Sequence, residues 1–263
     1  MSSYVGDILD SAFVERVFSM QPFDVVIHLA AITEHDAIVN DKQRTFETNL
    51  MGTLSLLKGF NAHCKGAQFI YASTGKVYGK TDEMPITESA RSNPQNILGR
   101  SKRITEQTIE YCAIPDNNYL ICRIFNIYGE HQKRNFVVPT IIDQLNDSRV
   151  KLGNICDLRD YLYIEDLISA ITACIRHRDK FAQVDYVNIG SGTPTSVSDI
   201  LRELEQLTGK SIAVETEARR FRADETPIEV CDNHRLTTLT GWKPKYSLRE
   251  GLYQTLRGEG VLP

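Results

Sequence analysis

The sequence lacks any Cys-x-x-Cys pair, although it holds six cysteines, at 64, 112, 122, 156, 174 and 231. Their scatter excludes a zinc ribbon and argues against a disulfide scaffold. It predicts reduced thiols in a cytoplasmic protein, with Cys112, Cys122 and Cys174 filling a core. The six histidines show neither i,i+4 pairing nor acids at ligand spacing, so no metal site is expected. No apolar run approaches the roughly 18 residues that a membrane span requires. The opening MSSYVGDILD lacks the basic-then-apolar pattern of a secretory leader. Excess positive charge is also missing: 30 Lys and Arg stand against 34 Asp and Glu, a net charge of -4. Neither nucleic acid nor an anionic membrane is therefore an expected partner, and an anionic ligand must be met by a few local basic groups. No internal repeat or low-complexity tract appears.

What is present is an α/β pattern. Hydrophobic residues make up 41% and charged residues 24% of 263 positions, a globular composition. The apolar runs at 24–30, 67–73 and 118–125 predict parallel strands covered on both faces. Helical spacing predicts helices over 40–63 and from about 99 to 111 between them. The second half is mixed, with helices expected over 136–146, after 161, from Ser196 to about Leu207, and near 248–256. Short strands are expected at 151–154, 185–190 and 211–215. A parallel sheet of this kind takes ligands beyond the carboxyl ends of its strands. The positions to inspect are therefore His28-Leu29-Ala30-Ala31, Ser73-Thr74-Gly75 and Arg123-Ile124-Phe125-Asn126. Small polar residues also serve turns at strand ends, so this pattern alone marks a pocket and no chemistry.

The motifs GDILD, VVIHLAA, TNLMGTLSLL, YASTGKVYG, SK-x-x-x-E, RIFNIYG, RDYLYIEDL, VNIGSG and GWKP follow one another along the chain. In order and spacing they resemble the extended short-chain dehydrogenase/reductases, the NAD-dependent nucleotide-sugar epimerases, dehydratases and reductases. The resemblance covers nearly the whole chain. In the second half, RIFNIYGEHQKRNFVVP with Gln144, LGNICDLRDY and FRADETP are most similar to the GDP-mannose dehydratase and GDP-4-keto-6-deoxymannose reductase group, with Glu130 and Ala223 in place of its prolines.

The resemblance implies a Rossmann-like parallel sheet with helices on both faces, and a small mixed lobe for the sugar nucleotide. Residues 1–127 and 157–190 would form the first, 128–156 and 191–263 the second. It implies NAD or NADP as cofactor and a nucleoside-diphosphate sugar as ligand. Asp7 and Ile8 match the turn that meets adenine, and Leu29, Ala30 and Ala31 the loop beside phosphates and ribose. Asn49 matches the asparagine near the active-site lysine, and Lys102 the lysine that bonds the nicotinamide ribose. Ser73 and Thr74 match the strand end that bonds the sugar, Thr74 at the catalytic Ser/Thr position. Asn126 matches the amide facing the sugar-nucleotide phosphates, and Arg159 and Arg222 the arginines that clamp the diphosphate. Simple structural roles compete with these. Asn49 would equally anchor a helix, Arg159 would pair with Asp160 in solvent, and Arg219, Arg220 and Arg222 would form a solvated face.

Two departures bear on catalysis. The family's Tyr-x-x-x-Lys pair carries the proton relay, and the tyrosine position holds Leu98. The family's opening Gly-x-x-Gly-x-x-Gly turn, which cradles the pyrophosphate, has no counterpart in the sequence. The matching motifs begin at Gly6-Asp7, so an open apolar sheet edge is expected beside the strand at 24–30. Gly75 and Lys76 also replace the acids that drive dehydration in the 4,6-dehydratases. The expected function is a nucleotide-sugar binder of this family with impaired catalysis. The alternative is a non-catalytic partner or regulator, a homodimer or heterodimer built on a four-helix interface through Leu50, Leu54, Leu57, Ile104 and Ile109.

Overall fold

A computed structural model of the protein describes residues 2–147, 149–217 and 226–263. The strands are, in chain order, β1 (Val25–His28), β2 (Gln68–Thr74), β3 (Asn118–Ile124), β4 (Asn126–Tyr128) and β5 (Val150–Leu152). They continue with β6 (Leu158–Tyr163), β7 (Val184–Ile189), β8 (Pro194–Thr195), β9 (Val214–Thr216) and β10 (Ile228–Glu229). The helices are α1 (Ser11–Met20), α2 (His35–Asn40), α3 (Lys42–Phe46), α4 (Thr53–His63) and α5 (Ile97–Cys112). Then follow α6 (Val137–Asp143), α7 (Ile164–Arg176), α8 (Val197–Thr208), α9 (His234–Thr240) and α10 (Leu248–Gly258).

A parallel sheet in the order β1-β2-β3-β7 forms the centre. β2 and β3 are buried along almost their whole length, which is why they read as unbroken apolar runs. Their two faces pack into separate clusters, one around Phe60, Phe69 and Ile121, the other around Leu120, Val187 and Leu236. β1 is the outer strand; Ile27 within it and Leu29 just after it stay 42% and 63% exposed. A second set of strands, β10-β6-β4 with β8 antiparallel on β6, lies over a third cluster built from Tyr128, Ile141, Leu204 and Leu252. The α/β class is therefore observed.

Several boundaries differ from the sequence reading. The expected helix over 40–63 is broken: Asp41 accepts the Arg44 N–H at 2.8 Å and caps α3, and a π turn over Glu47–Gly52 precedes α4. Helix α1 was not anticipated, although Asp10 caps it and Val14 and Phe18 lie four apart on its buried face. Phe18 packs where a Cβ on Gly59 would come within 2.5 Å of its ring, so α1 and α4 cross closely only because residue 59 is glycine. Ser196 starts α8 with a reciprocal capping box to Asp199, as its sequence announces. Cys122 and Cys174 are core residues as expected, joined by Cys64 and Cys231, whereas Cys112 is half-buried.

Candidate functional site

A cleft of about 1300 Å³ opens beyond the carboxyl ends of β2 and β3. Ser73, Thr74, Leu98, Lys102 and Asn126 line its sheet side. Gln132, Arg134, Phe136, Arg159 and Tyr161 line the opposite side.

Helix α5 delivers two of these side chains. Asn96 caps it by accepting the Gly99 N–H at 2.8 Å. A Cβ at Gly99 would lie 2.4 Å from the Lys76 carbonyl oxygen, so glycine lets the helix abut the 3₁₀ turn Gly75–Val77. Leu98 and Lys102, one helical turn apart, thereby share the cleft wall. Lys102 is 4% exposed; its Nζ donates to the Ala72 carbonyl at 2.6 Å and stands 4.6 Å from the Tyr71 ring centre. Burial lowers its pKa to about 8, opposed by the nearby Glu106 charge. His28 is pushed down to about 3, first by burial and then by the Lys102 charge, so it is neutral where its Nε2 meets Thr53 Oγ1 at 2.8 Å.

The residues beneath the cleft are tied by buried charge. Glu106 is fully buried and accepts from Ser73 Oγ at 2.6 Å, from Arg123 Nε at 3.1 Å and from Arg123 Nη2 at 2.9 Å. Arg123 also stands 4.8 Å and 4.5 Å from the Tyr78 and Tyr186 ring centres. The Ser73 proton is thus directed at Glu106, while the Thr74 hydroxyl oxygen accepts only a long bond from the Lys76 N–H, 3.3 Å. Asn126 Nδ2 is buried and has no hydrogen-bond partner among the described residues. Arg159, 7% exposed, donates to Asp157 Oδ2 at 3.1 Å. Its expected partner Asp160 instead accepts the backbone N–H groups of Ser191, Gly192 and Cys231. A buried carboxylate satisfied by three amides needs no cation, which corrects the solvated-pair reading.

The structure brings Leu29, Ser73, Thr74, Lys102, Asn126 and Arg159 to the cleft wall. It does not bring the others there. Asn49 is spent on the chain itself: its Oδ1 accepts the Ile32 N–H at 2.8 Å, and its Nδ2 donates to Ile32 O and Ser101 Oγ. Asp7 accepts from Arg44 Nη2 at 3.2 Å in solvent, and Ile8 packs where a Cβ on Gly52 would fall. Ala30 is exposed and Ala31 half-buried outside the cleft lining. Arg222 lies outside the described residues. Of the proposed interface residues, Leu57 and Ile109 are buried in the chain's own core, and Ile104 is exposed. Gln132 and Tyr161 are among the cleft residues not singled out from sequence, and Lys76, noted there only as the replacement of an acid, lines the cleft as well. Each sits inside a motif already quoted, so position within the motif was the missing signal. Tyr71 and Tyr78 are buried away from the cleft, the latter donating to Asn188 Oδ1 at 2.6 Å. Among the described residues no group of His, Cys, Asp and Glu is placed to hold a metal, and no helix is long and apolar enough to cross a membrane.

A Rossmann-like sheet with a cleft at its strand ends, lysine on one wall and arginine on the other, is the arrangement that the resemblance to the nucleotide-sugar epimerases, dehydratases and reductases implies. The comparisons agree. A sequence model of the GDP-mannose 4,6 dehydratase family matches residues 1–255, and the chain belongs to that family. A UDP-glucose 4-epimerase of Halalkalibacterium halodurans is 27% identical over 270 residues, covering 95% of this chain and 80% of the relative. The structure of RMD from Pseudomonas aeruginosa complexed with NADPH superposes with a TM-score of 0.89 at 28% identity, over 97% of this chain and 87% of that one. UDP-glucose 4-epimerase from Bifidobacterium longum, in complex with NAD+ and UDP, superposes with a TM-score of 0.88 at 26% identity, over 98% and 82%.

Proposed function

We propose that this chain binds a nucleoside-diphosphate sugar through Asn126, Arg159 and Arg222, and that it turns the sugar over poorly. The Asn126 amide carries the reading. A buried donor without a partner costs about 1–3 kcal/mol, and a phosphate oxygen in the cleft would satisfy it. The UDP held by the Bifidobacterium relative supports the same ligand class. In this reading the sheet with its helices (1–127 and 157–190) carries the cofactor side, and the remaining lobe (128–156 and 191–263) the nucleotide.

NAD(P) fits the cleft in part. The Lys102 ammonium and the walls formed by Leu29 and Ala72 suit a ribose and a flat ring. Among the described residues that line the cleft Gly153 is the one glycine, so the lining itself holds no glycine-rich turn for a pyrophosphate. When bound, this cofactor supplies the hydride acceptor. The chain's own part is to hold the sugar hydroxyl at Thr74 and the ribose at Lys102. Leu98, in the tyrosine position, has no proton to exchange, and losing a general acid/base costs a factor of about 10²–10⁴. Without an acid after Thr74, epimerisation or ketone reduction is favoured over dehydration.

Calorimetry of the chain tests this. A UDP- or GDP-sugar is expected to bind, Asn126→Ala to weaken it about tenfold, and NAD(H) to bind weakly. Tight NAD(H) binding overturns the expectation of weak cofactor binding; no nucleotide-sugar binding overturns the whole. Leu98→Tyr is expected to raise turnover by about 10² or more.

A second reading is a non-catalytic partner that pairs, in the cytoplasm, with itself or with a complete relative. Met51 at 49% exposure, Ile104 at 41% and Tyr111 at 91% support it, since they leave apolar surface on the π turn and α5. Light scattering and co-purification distinguish a monomer from such a dimer.

A further inference from the structure

Glu34 joins the two banks of the cleft at its rim. Thr33 and Asp36, on either side of it, line the cleft beyond β1. Gln132, Arg134 and Asn135, in the segment after β4, line the facing bank. Lys133 Nζ donates to one carboxylate oxygen of Glu34, and Asn135 Nδ2 donates to the other at 3.2 Å. The two bonds span 99 and 101 positions of sequence, so they fasten the β1 side of the sheet to the segment after β4. Glu34 and Lys133 themselves stand outside the lining.

The two banks are held unequally. On the far bank, Gln132 Nε2 donates to the Ile127 carbonyl at 2.8 Å, and the His131 N–H donates to Glu259 Oε1 at 2.7 Å. His131 keeps a left-handed φ of 62°, a conformation that persists where neighbouring contacts over-determine it. That segment is braced. On the near bank, both backbone groups of Ile32 are pinned to the Asn49 amide, at 2.8 Å and 3.1 Å, and Asp41 caps α3. Between these two fixed points lies α2, whose six residues are too few to hold a helix without packing. It is an arm with fixed roots, and Glu34 caps its free end. The bonds at Glu34 are weak ones: its side chain is 31% exposed and that of Lys133 69%, so water competes for both. Arg134 next to Lys133 is already engaged by Asp143 and Glu259.

We propose that Glu34, Lys133 and Asn135 form a latch across the cleft, which releases by a swing of α2 to let the ligand in and out. That the passing ligand is a nucleotide sugar rests on the reading already proposed; the latch itself rests on the bridge between the banks. Because Glu34 and Lys133 stand outside the lining, opening costs the same whether the cleft is empty or full. Loosening the latch therefore quickens entry and exit together, as for other closing segments whose opening limits exchange.

Stopped-flow binding of methylanthraniloyl-labelled UDP and GDP to the full chain, followed by a chase with unlabelled nucleotide, reads both rates. Glu34→Lys sets two ammonium groups against each other and is expected to raise the exit rate about threefold. The added charge would also steer an anionic nucleotide inward, which raises entry but slows exit, so the exit rate is the decisive reading. The double variant Glu34→Lys with Lys133→Glu rebuilds the pair in reverse and is expected to return the exit rate to that of the parent chain. High salt is expected to speed exit from the parent and not from Glu34→Lys. An unchanged exit rate in Glu34→Lys, or a fast one that the double variant keeps, overturns the latch. If neither nucleotide binds, the nucleotide-sugar reading fails and amide hydrogen exchange decides the latch. The amides of α2 are expected to exchange faster in Glu34→Lys and to recover in the double variant, and unaltered exchange overturns it.

Discussion

The two walls of the cleft are held by different physics. On the sheet side, Glu106, Arg123 and Lys102 are almost fully buried, and their geometry is fixed by short bonds to each other and to backbone. On the opposite side, the segment after β4 is tied by the largely exposed ion pairs Lys133 to Glu34 and Arg134 to Asp143, with one half-buried pair, Arg134 to Glu259. Buried pairs are screened little and are costly to break, whereas exposed pairs contribute little. The sheet wall is therefore a preorganised surface, and the opposite wall an adjustable rim. That division suits a ligand whose reacting end must be placed exactingly while the rest is gripped loosely.

Breaking the buried side should have the largest effect. Glu106→Ala leaves Arg123 buried without its bidentate partner and is expected to cost about 3–5 kcal/mol, read by denaturant unfolding. A loss near zero would mean that the guanidinium reaches water and that the walls do not differ.

Lys102 sharpens the comparison from the opposite direction. Its pKa is depressed in the folded chain, from 10.5 to about 8, so at neutral pH folding works against its charge. Stability should rise with pH between about 8 and 10.5, where the unfolded chain holds the extra proton. Lys102→Met is accordingly expected to stabilise the protein at pH 7 by about 1–3 kcal/mol and to flatten that pH dependence, while weakening the ligand. Thermal unfolding across pH checks it; a destabilised variant would show that the ammonium is well solvated.

The smallest effect belongs to the rim. Lys133→Ala removes an exposed partner of Glu34 and should move the melting temperature by no more than about 2 °C. A larger shift would make this rim a structural clamp.

Much of this molecule was legible because its elements announce themselves locally. β2 and β3 are unbroken apolar runs since both their faces are covered, and Ser196 with Asp199 writes a helix start in four residues. Ser73, Thr74 and Lys102 lie at strand ends and on a helix face whose position follows from that pattern. Helix α1 carries local signals, the Asp10 cap and the Val14–Phe18 spacing, but its closeness to α4 through Phe18 and Gly59, across about forty positions, is declared by neither segment alone. The Asn49 role was undecidable for the same reason: only the fold places its amide against Ile32 and Ser101 rather than a ligand.

By itself, then, the sequence determined the parallel α/β class, the family and the strand ends where the cleft opens. These depend on periodicity and on motifs a few residues long. Tertiary structure alone decided which partner each charge meets. Glu229 meets Lys76, Asp157 rather than Asp160 meets Arg159, and Lys102 meets the Ala72 carbonyl and the Tyr71 ring. Coulomb and desolvation energies depend on distance and burial, and neither quantity is written along a chain.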